Sequence, residues 1–175
     1  REPPTSSRRQ RQMCIRDRYA ATSLPRVSTT LAKQLALYVI IHSPLQMASD
    51  FIENYEEHSE AFEFIKSVPV DWDTTIVLNG EIEQFLTIAR KDKNSDNWYI
   101  GGITNEESRT LQFDLSFLDE GSYIARIYAD GDSADWESNP SDYKIFEKVV
   151  SKGELVTMEL ACGGGQAIAL EKLKD

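Results

Sequence analysis

The sequence predicts an α+β fold: two helices followed by an antiparallel β-sandwich of about eight strands. Three observations predict it. Apolar residues recur at about 3.6-residue spacing up to Val68 and at two-residue spacing from Val70 onward. Turn-forming residues cut the second part into many short runs at close spacing, the pattern of a sandwich or barrel. The stretch Phe85–Thr104, FLTIARKDKNSDNWYIGGIT, holds two alternating runs around a polar loop and reads as a half-buried hairpin.

The first helix is expected to be capped by Ser28 or Thr29 and to run through Leu31, Leu35, Tyr38, Val39 and His42 before Pro44 ends it. Ala32, Ala36, Leu37, Ile40 and Ile41 make it apolar nearly all round, so it expects burial on more than one side. Asp50–Glu57 reads as a short helix or an irregular linker. A second helix covers Ser59–Ser67, with Phe62, Ile65 and Lys66 at helical spacing and Pro69 as its stop.

Eight strands follow: Thr74–Leu78, Phe85–Lys91, Trp98–Thr104, Arg109–Leu115, Tyr123–Ala129, Lys144–Val150, Leu155–Leu160 and Ala167–Leu170. Asn79-Gly80, Asp92–Asp96, Asn105–Ser108, Asp119–Gly121, Asp130–Pro140, Lys152-Gly153 and Gly163–Gly165 supply the turn chemistry between them. The chain divides into residues 1–25, 26–69 and 70–175, with no internal repeat.

The 175 residues carry a net charge of −10, which argues against a nucleic-acid partner. Residues 1–18 hold six Arg against Glu2 and Asp17, a balance of +4 that leaves −14 for the rest. This basic head has no apolar periodicity and reads as disordered. Its RQRQMCIRDR resembles translated sequencing-adapter sequence, which implies an artefactual head and a gene cut near Tyr19. No signal or transit peptide is visible. The longest apolar run, Leu35–Ile41, falls short of the roughly 20 residues that span a bilayer. Cys14 and Cys162 are unsuited to a mutual disulfide, and no cysteine spacing fits zinc.

Few residues point to chemistry, and none is assigned a catalytic or metal-binding role. Asp130, Asp132, Asp135 and Glu137 crowd the loop ADGDSADWESNP, but they lack a calcium-loop pattern and read as a solvated turn. Glu53, Glu56, Glu57, Glu60 and Glu63 read as a solvated helix face. Gly163-Gly164-Gly165 lacks the Lys-Ser or Lys-Thr of a phosphate loop and reads as a tight connection. His42 and His58 have no partners at metal or triad spacing. Trp72, Trp98, Tyr99, Trp136 and Tyr143 read mainly as core. Trp72 and Trp136, in loop-like contexts, are the candidates for stacking on a sugar, the alternative function of a carbohydrate-binding sandwich module.

Three segments resemble the C-terminal end of family 97 glycoside hydrolases, bacterial α-glucosidases and α-galactosidases. They are RVSTTLAKQLALYVIIHSPLQM (Arg26–Met47), FEFIKSVPVDWD (Phe62–Asp73), and Phe85–Asn139 with IARK, NWYIGGITNEESRTL, LSFLDEGSY and YADGDSADWESNP. The closing GGGQAIAL fits as well, and Cys162 departs from the family pattern. The resemblance covers roughly Arg26–Leu170. It implies a longer enzyme with an N-terminal sandwich, a (β/α)₈ barrel and a C-terminal β domain. Residues 26–69 would be the last helical part of the barrel, and 70–175 the oligomerisation domain. The family's catalytic carboxylates and calcium ligands map to no residue of this chain, so no cofactor is expected in it, although the parent enzyme would need calcium. The implied partners are the missing barrel and further copies of the chain, and the implied setting is periplasmic or secreted. If the first helix has lost its barrel, at least one of Leu35, Leu37, Ile40 and Ile41 should be exposed.

Overall fold

A computed structural model describes residues 27–47 and 52–173. The expectations for the head and for Cys14 lie outside the described residues. Three helices come first: α1 (Leu31–Ile40), α2 (Ile52–Glu57) and α3 (Ser59–Ser67). Eight strands follow: β1 (Trp72–Glu81), β2 (Phe85–Asp92), β3 (Trp98–Thr104), β4 (Arg109–Asp114), β5 (Ser122–Asp130), β6 (Tyr143–Ser151), β7 (Leu155–Leu160) and β8 (Gly165–Lys172). Six strands form one antiparallel sheet in the order β1-β2-β3-β8-β5-β6, and β4 pairs with β7 in a second. The α+β sandwich expected from the sequence is present, with two sheets of unequal size.

The layers follow from side-chain alternation. One face of the large sheet packs on β4–β7 through Ala89, Trp98, Ile100, Tyr123, Ile127, Ile168 and Leu170, with Leu111, Phe113, Met158 and Leu160 opposite. The other face packs on the helices through Tyr99, Tyr128, Ala167 and Ala169, against Leu35, Ala36, Val39, Ala61 and Phe64. The Phe85–Thr104 hairpin is therefore buried on both faces, not one. Thr87, Ile88, Ala89 and Arg90 are all buried, and so is nearly all of β3, because α1 covers the side assigned to solvent.

Three local expectations are corrected and one open alternative is decided. The cap of α1 is Thr30, whose Oγ1 accepts the Lys33 N–H at 3.2 Å, while the Thr29 hydroxyl takes the Gln34 side-chain amide at 2.6 Å. The helix stops at Ile40 because Ile41 turns to extended backbone, well before Pro44. The stretch before residue 58 takes the short-helix alternative as α2, and α3 spans Ser59–Ser67 as expected and buries Ala61 and Phe64. Asn79-Gly80 is no turn: both residues pair within β1, opposite Thr87 and Leu86, and the chain reverses at Ile82–Gln84. There the Gln84 N–H donates to the Glu81 carbonyl at 3.0 Å. Cross-strand burial of Ile76 and Leu78 fixes the β1–β2 register and overrides the better turn residues.

Candidate functional site

The N-terminus of α1 is tied to the β domain by several long-range hydrogen bonds. Its free backbone donors need acceptors, and three loops supply them or close around them. The Thr30 N–H donates to the Gly163 carbonyl at 3.3 Å, and the Leu31 N–H to the Pro140 carbonyl at 2.8 Å. Lys33 Nζ donates to the Thr104 carbonyl at 2.7 Å. The three loops are themselves tied, by Gly163 N–H to Asn105 O at 2.8 Å and Thr104 N–H to Gly164 O at 3.1 Å.

Asp130, at the end of β5 and 4% exposed, closes this joint. Its Oδ2 accepts the Ala161 and Gly165 N–H groups, each at 2.9 Å. Burial pushes its carboxyl above the ordinary value of 3.8, opposed by the Thr30 hydroxyl, the two amides and the Lys33 ammonium. Burial in turn lowers Lys33, against the pull of Glu106 and Asp130. The glycines are steric requirements of the same joint. A Cβ on Gly164 would lie 2.0 Å from Asp130 Oδ2, and one on Gly165 would lie 2.6 Å from Lys33 Cα. At the middle of α1, a Cβ on Gly101 would lie 2.7 Å from the Ala36 carbonyl.

The C-terminal end of α1 is held by Arg90, which is 5% exposed. Its Nη2 donates to the Ile40 carbonyl at 2.9 Å, where the helix dipole is negative. Its guanidinium lies 5.6 Å from the Trp72 ring centroid. Burial lowers its pKa, and no carboxylate pairs with it among the described residues. Beyond this end Ile41 is 53% exposed, as an unpartnered helix requires, whereas Leu35 is 1% exposed against the sheet.

The two candidate sugar-stacking residues stand apart. Trp72 is half-buried, edge-on to Tyr99 at 5.7 Å, at the Trp98 end of the sheet. Trp136 is half-buried at the opposite end, its backbone N–H donating to the Cys162 carbonyl at 3.4 Å and its side chain over Gly163. The structure does not bring them together. Trp98, 4% exposed, packs on Phe117 inside the sandwich.

The acidic loop is stitched to itself. Asp135 Oδ1 accepts the Glu137 and Ser138 N–H groups at 3.0 and 2.8 Å, which lowers its pKa. Asp142 Oδ2 takes both the N–H and the hydroxyl of Ser133, and Lys144 pairs with Asp132 at 2.9 Å. Among the described residues no group of three His, Cys, Asp or Glu is placed to hold a metal. The five helical glutamates are exposed, and His58 lies edge-on to Tyr143. No helix among the described residues is long and apolar enough to cross a membrane. Sequence reasoning missed Asp130 as distinct from its loop, and it missed Arg90 altogether. The only signal for Arg90 was a charged residue inside an otherwise strand-like apolar run.

Comparison with known proteins places this architecture. Residues 71–171 match the family described as glycosyl-hydrolase 97 C-terminal, oligomerisation. A retaining α-galactosidase of Bacteroides thetaiotaomicron is 37% identical over 153 residues, which is 87% of this chain and 22% of the relative. That span must begin at or before residue 23, so it takes in all three helices. A probable retaining α-galactosidase of Streptomyces bingchenggensis is 26% identical over 78% of this chain and 20% of its own length. A glycoside hydrolase family 97 enzyme from Pseudoalteromonas sp. strain K8, solved in complex with acarbose, superposes with a TM-score of 0.83. It is 43% identical over 85% of this chain and 23% of that one. The chain thus spans about a fifth of the length of the proteins it matches. With the family match covering more than half of its residues, the chain belongs to the glycosyl-hydrolase 97 family, and residues 71–171 are its C-terminal oligomerisation domain.

Proposed function

We propose that this chain is the non-catalytic C-terminal part of a glycoside hydrolase acting on α-glycosidic bonds, and that it works by assembly. The domain joins copies of the enzyme, and α1 couples it to a catalytic barrel lying upstream in the longer protein. The observation that carries this reading is the two-sided character of α1. One side is locked to the sheet by Asp130, Arg90 and close glycine contacts, while Leu37 is only half-buried on the helix and Ile41, just past its end, is exposed. A helix fixed on one side and apolar on the other transmits position from one body to the next.

The bond class follows the names of the relatives, a retaining α-galactosidase and a family 97 enzyme that holds acarbose. The calcium and the catalytic carboxylates of the enzyme would then reside in that upstream part. The test is to measure assembly state and turnover on the purified 175-residue chain. We expect self-association in sedimentation velocity and no release of p-nitrophenol from p-nitrophenyl α-galactoside or α-glucoside. Turnover that co-purifies with the folded chain would overturn the reading in favour of a self-contained hydrolase.

A further inference from the structure

We propose that the open sheet face over β1 and β2 seats a further helix, an amphipathic one from the upstream body of the longer protein, lying beside α1. This rests on the coupling role given to α1 above and names a second surface for it. The helix layer covers only part of the sheet. α1 lies over β3 and β8, where Gly101 and Gly165 leave room for its backbone. α3 reaches β5 and β6, with Phe64 against Tyr128 at 4.9 Å and His58 edge-on to Tyr143. On the other side of α1, no helix among the described residues covers β1 and the outer part of β2.

The uncovered part is apolar. Leu86 pairs with Ile103 and lies two residues from Ile88, the partner of Val77, so Val77, Leu86 and Ile103 share one face. Val77 is 61% exposed, and Leu86 and Ile103 are half-buried. The flank of α1 that borders them is open as well. Lys33 lines the groove of about 560 Å³ between the helix and the β1–β2 hairpin. Leu37, one turn on, lies on the same side and is half-buried, and Ile41 continues the line past the helix end at 53% exposed. Sheet floor and helix wall thus meet in an apolar corner.

Dimensions select the kind of occupant. Two strands at about 4.8 Å spacing give a floor about 10 Å wide, the diameter of one α-helix. A single apolar stripe on such a helix, roughly 100° wide, closes floor and wall together.

The path of the chain selects its source. The chain spans 22% and 23% of two relatives it matches, and the matching domain is a C-terminal one, which leaves the bulk of such a protein upstream. That bulk connects through residues 27–30, which run into α1 one turn before Lys33. The upstream body is therefore delivered to the end of the groove. A second copy is the poorer occupant. The hairpin tip carries Glu81 and Glu83, and Lys33 Nζ is already taken by the Thr104 carbonyl at 2.7 Å, so an incoming tip would meet no spare cation in the groove.

The experiment is thiol labelling at V77C, I41C and F146C, read peptide by peptide by mass spectrometry, in the full-length protein and in the 175-residue chain at equal concentration. Circular dichroism establishes that each variant is folded. In the full-length protein V77C and I41C should label about tenfold more slowly than in the 175-residue chain, while F146C, on the far edge strand, keeps its rate. Ile82→benzoylphenylalanine then identifies the occupant. We expect a photo-crosslink within one chain, to an upstream peptide whose apolar residues recur every three to four positions. Equal V77C rates in the two proteins, with I41C still protected, overturn this face and leave the coupling role of α1 standing. Equal rates at V77C and I41C alike overturn both. A matching slowdown at F146C marks a general effect and overturns the assignment to this corner. Slowing of V77C in the 175-residue chain as its concentration rises, or a crosslink between copies, gives the corner to a second copy and overturns the proposal. A crosslink to a segment without helical spacing overturns the helix as occupant.

Discussion

The two faces of the six-stranded sheet are built on different physics. The face under β4–β7 is closed by apolar side chains that interdigitate, with Tyr123, Ile100 and Met158 almost wholly buried. The face under α1 adds close backbone approach and buried polar groups to its apolar contacts. Three glycines clear space there, Asp130 gathers two amides, and Arg90 reaches a helix carbonyl. The first kind of packing tolerates exchange of one apolar group for another of similar volume. The second depends on particular atoms, so the helix joint should be the more brittle of the two.

Removing Asp130 tests this most severely. D130A leaves the Ala161 and Gly165 amides buried without an acceptor, a loss of about 3 kcal/mol readable by urea denaturation. D130N should fall between wild type and D130A and should change the pH profile. The folded pKa of Asp130 is raised, so its bound proton stabilises the fold fully below pH 3.8, and that contribution fades as pH rises through the folded value. D130N, which cannot titrate, should show a flatter profile above pH 3.8.

Two adjacent glycines give the next contrast. The Cβ in G101A meets the Ala36 carbonyl at 2.7 Å, and rigid helix backbone cannot yield, so a loss of about 2–3 kcal/mol is expected. The Cβ in G102A points to the other face and meets Met158 Sδ at 2.6 Å, and a flexible thioether can move, so about 1 kcal/mol is expected. Equal losses in the two variants would erase the distinction between the faces.

A smaller effect belongs to Tyr99, whose hydroxyl donates to the Ser67 carbonyl at 3.1 Å. Burial foremost, then Asp92, Glu171 and Tyr128, pushes its pKa up to about 12. Its proton therefore stabilises the fold below pH 10, and that contribution is lost between pH 10 and 12. Y99F should cost about 1 kcal/mol at neutral pH and remove this part of the alkaline decline. Smallest of all, K144A breaks an exposed pair with Asp132 and should change stability by less than about 0.5 kcal/mol.

The same contrast explains what could be read from sequence. Alternation is a property of neighbours along a strand, so all eight strands were legible, and β3 and β7 were legible to the residue. The apolar face is a sum over many side chains, and summation survives without coordinates. The helix joint was not legible, because it is made of single groups that meet across the chain. Asp130 looks like its neighbours in an acidic turn until Ala161 and Gly165 are brought to it. Gly101 reads as a weak strand residue until Ala36 arrives. Arg90 departed from the strand pattern, but its meaning lies 50 residues away at Ile40. The turn at Ile82–Gln84 was hidden because register outweighed the stronger turn residues beside it.

Arg90 also constrains the order of folding. A guanidinium stays charged at any ordinary pH, so β2 cannot take it into cover at low cost before the carbonyl end of α1 is in place. A chain whose sheet formed first would keep that cation in water and hold the neighbouring strands open. The final step of burial then waits for the helix, and the half-built sheet carries a charge where its sticky surface would otherwise be. Burial of the Arg90 cation and docking of the C-terminal end of α1 are thereby coupled.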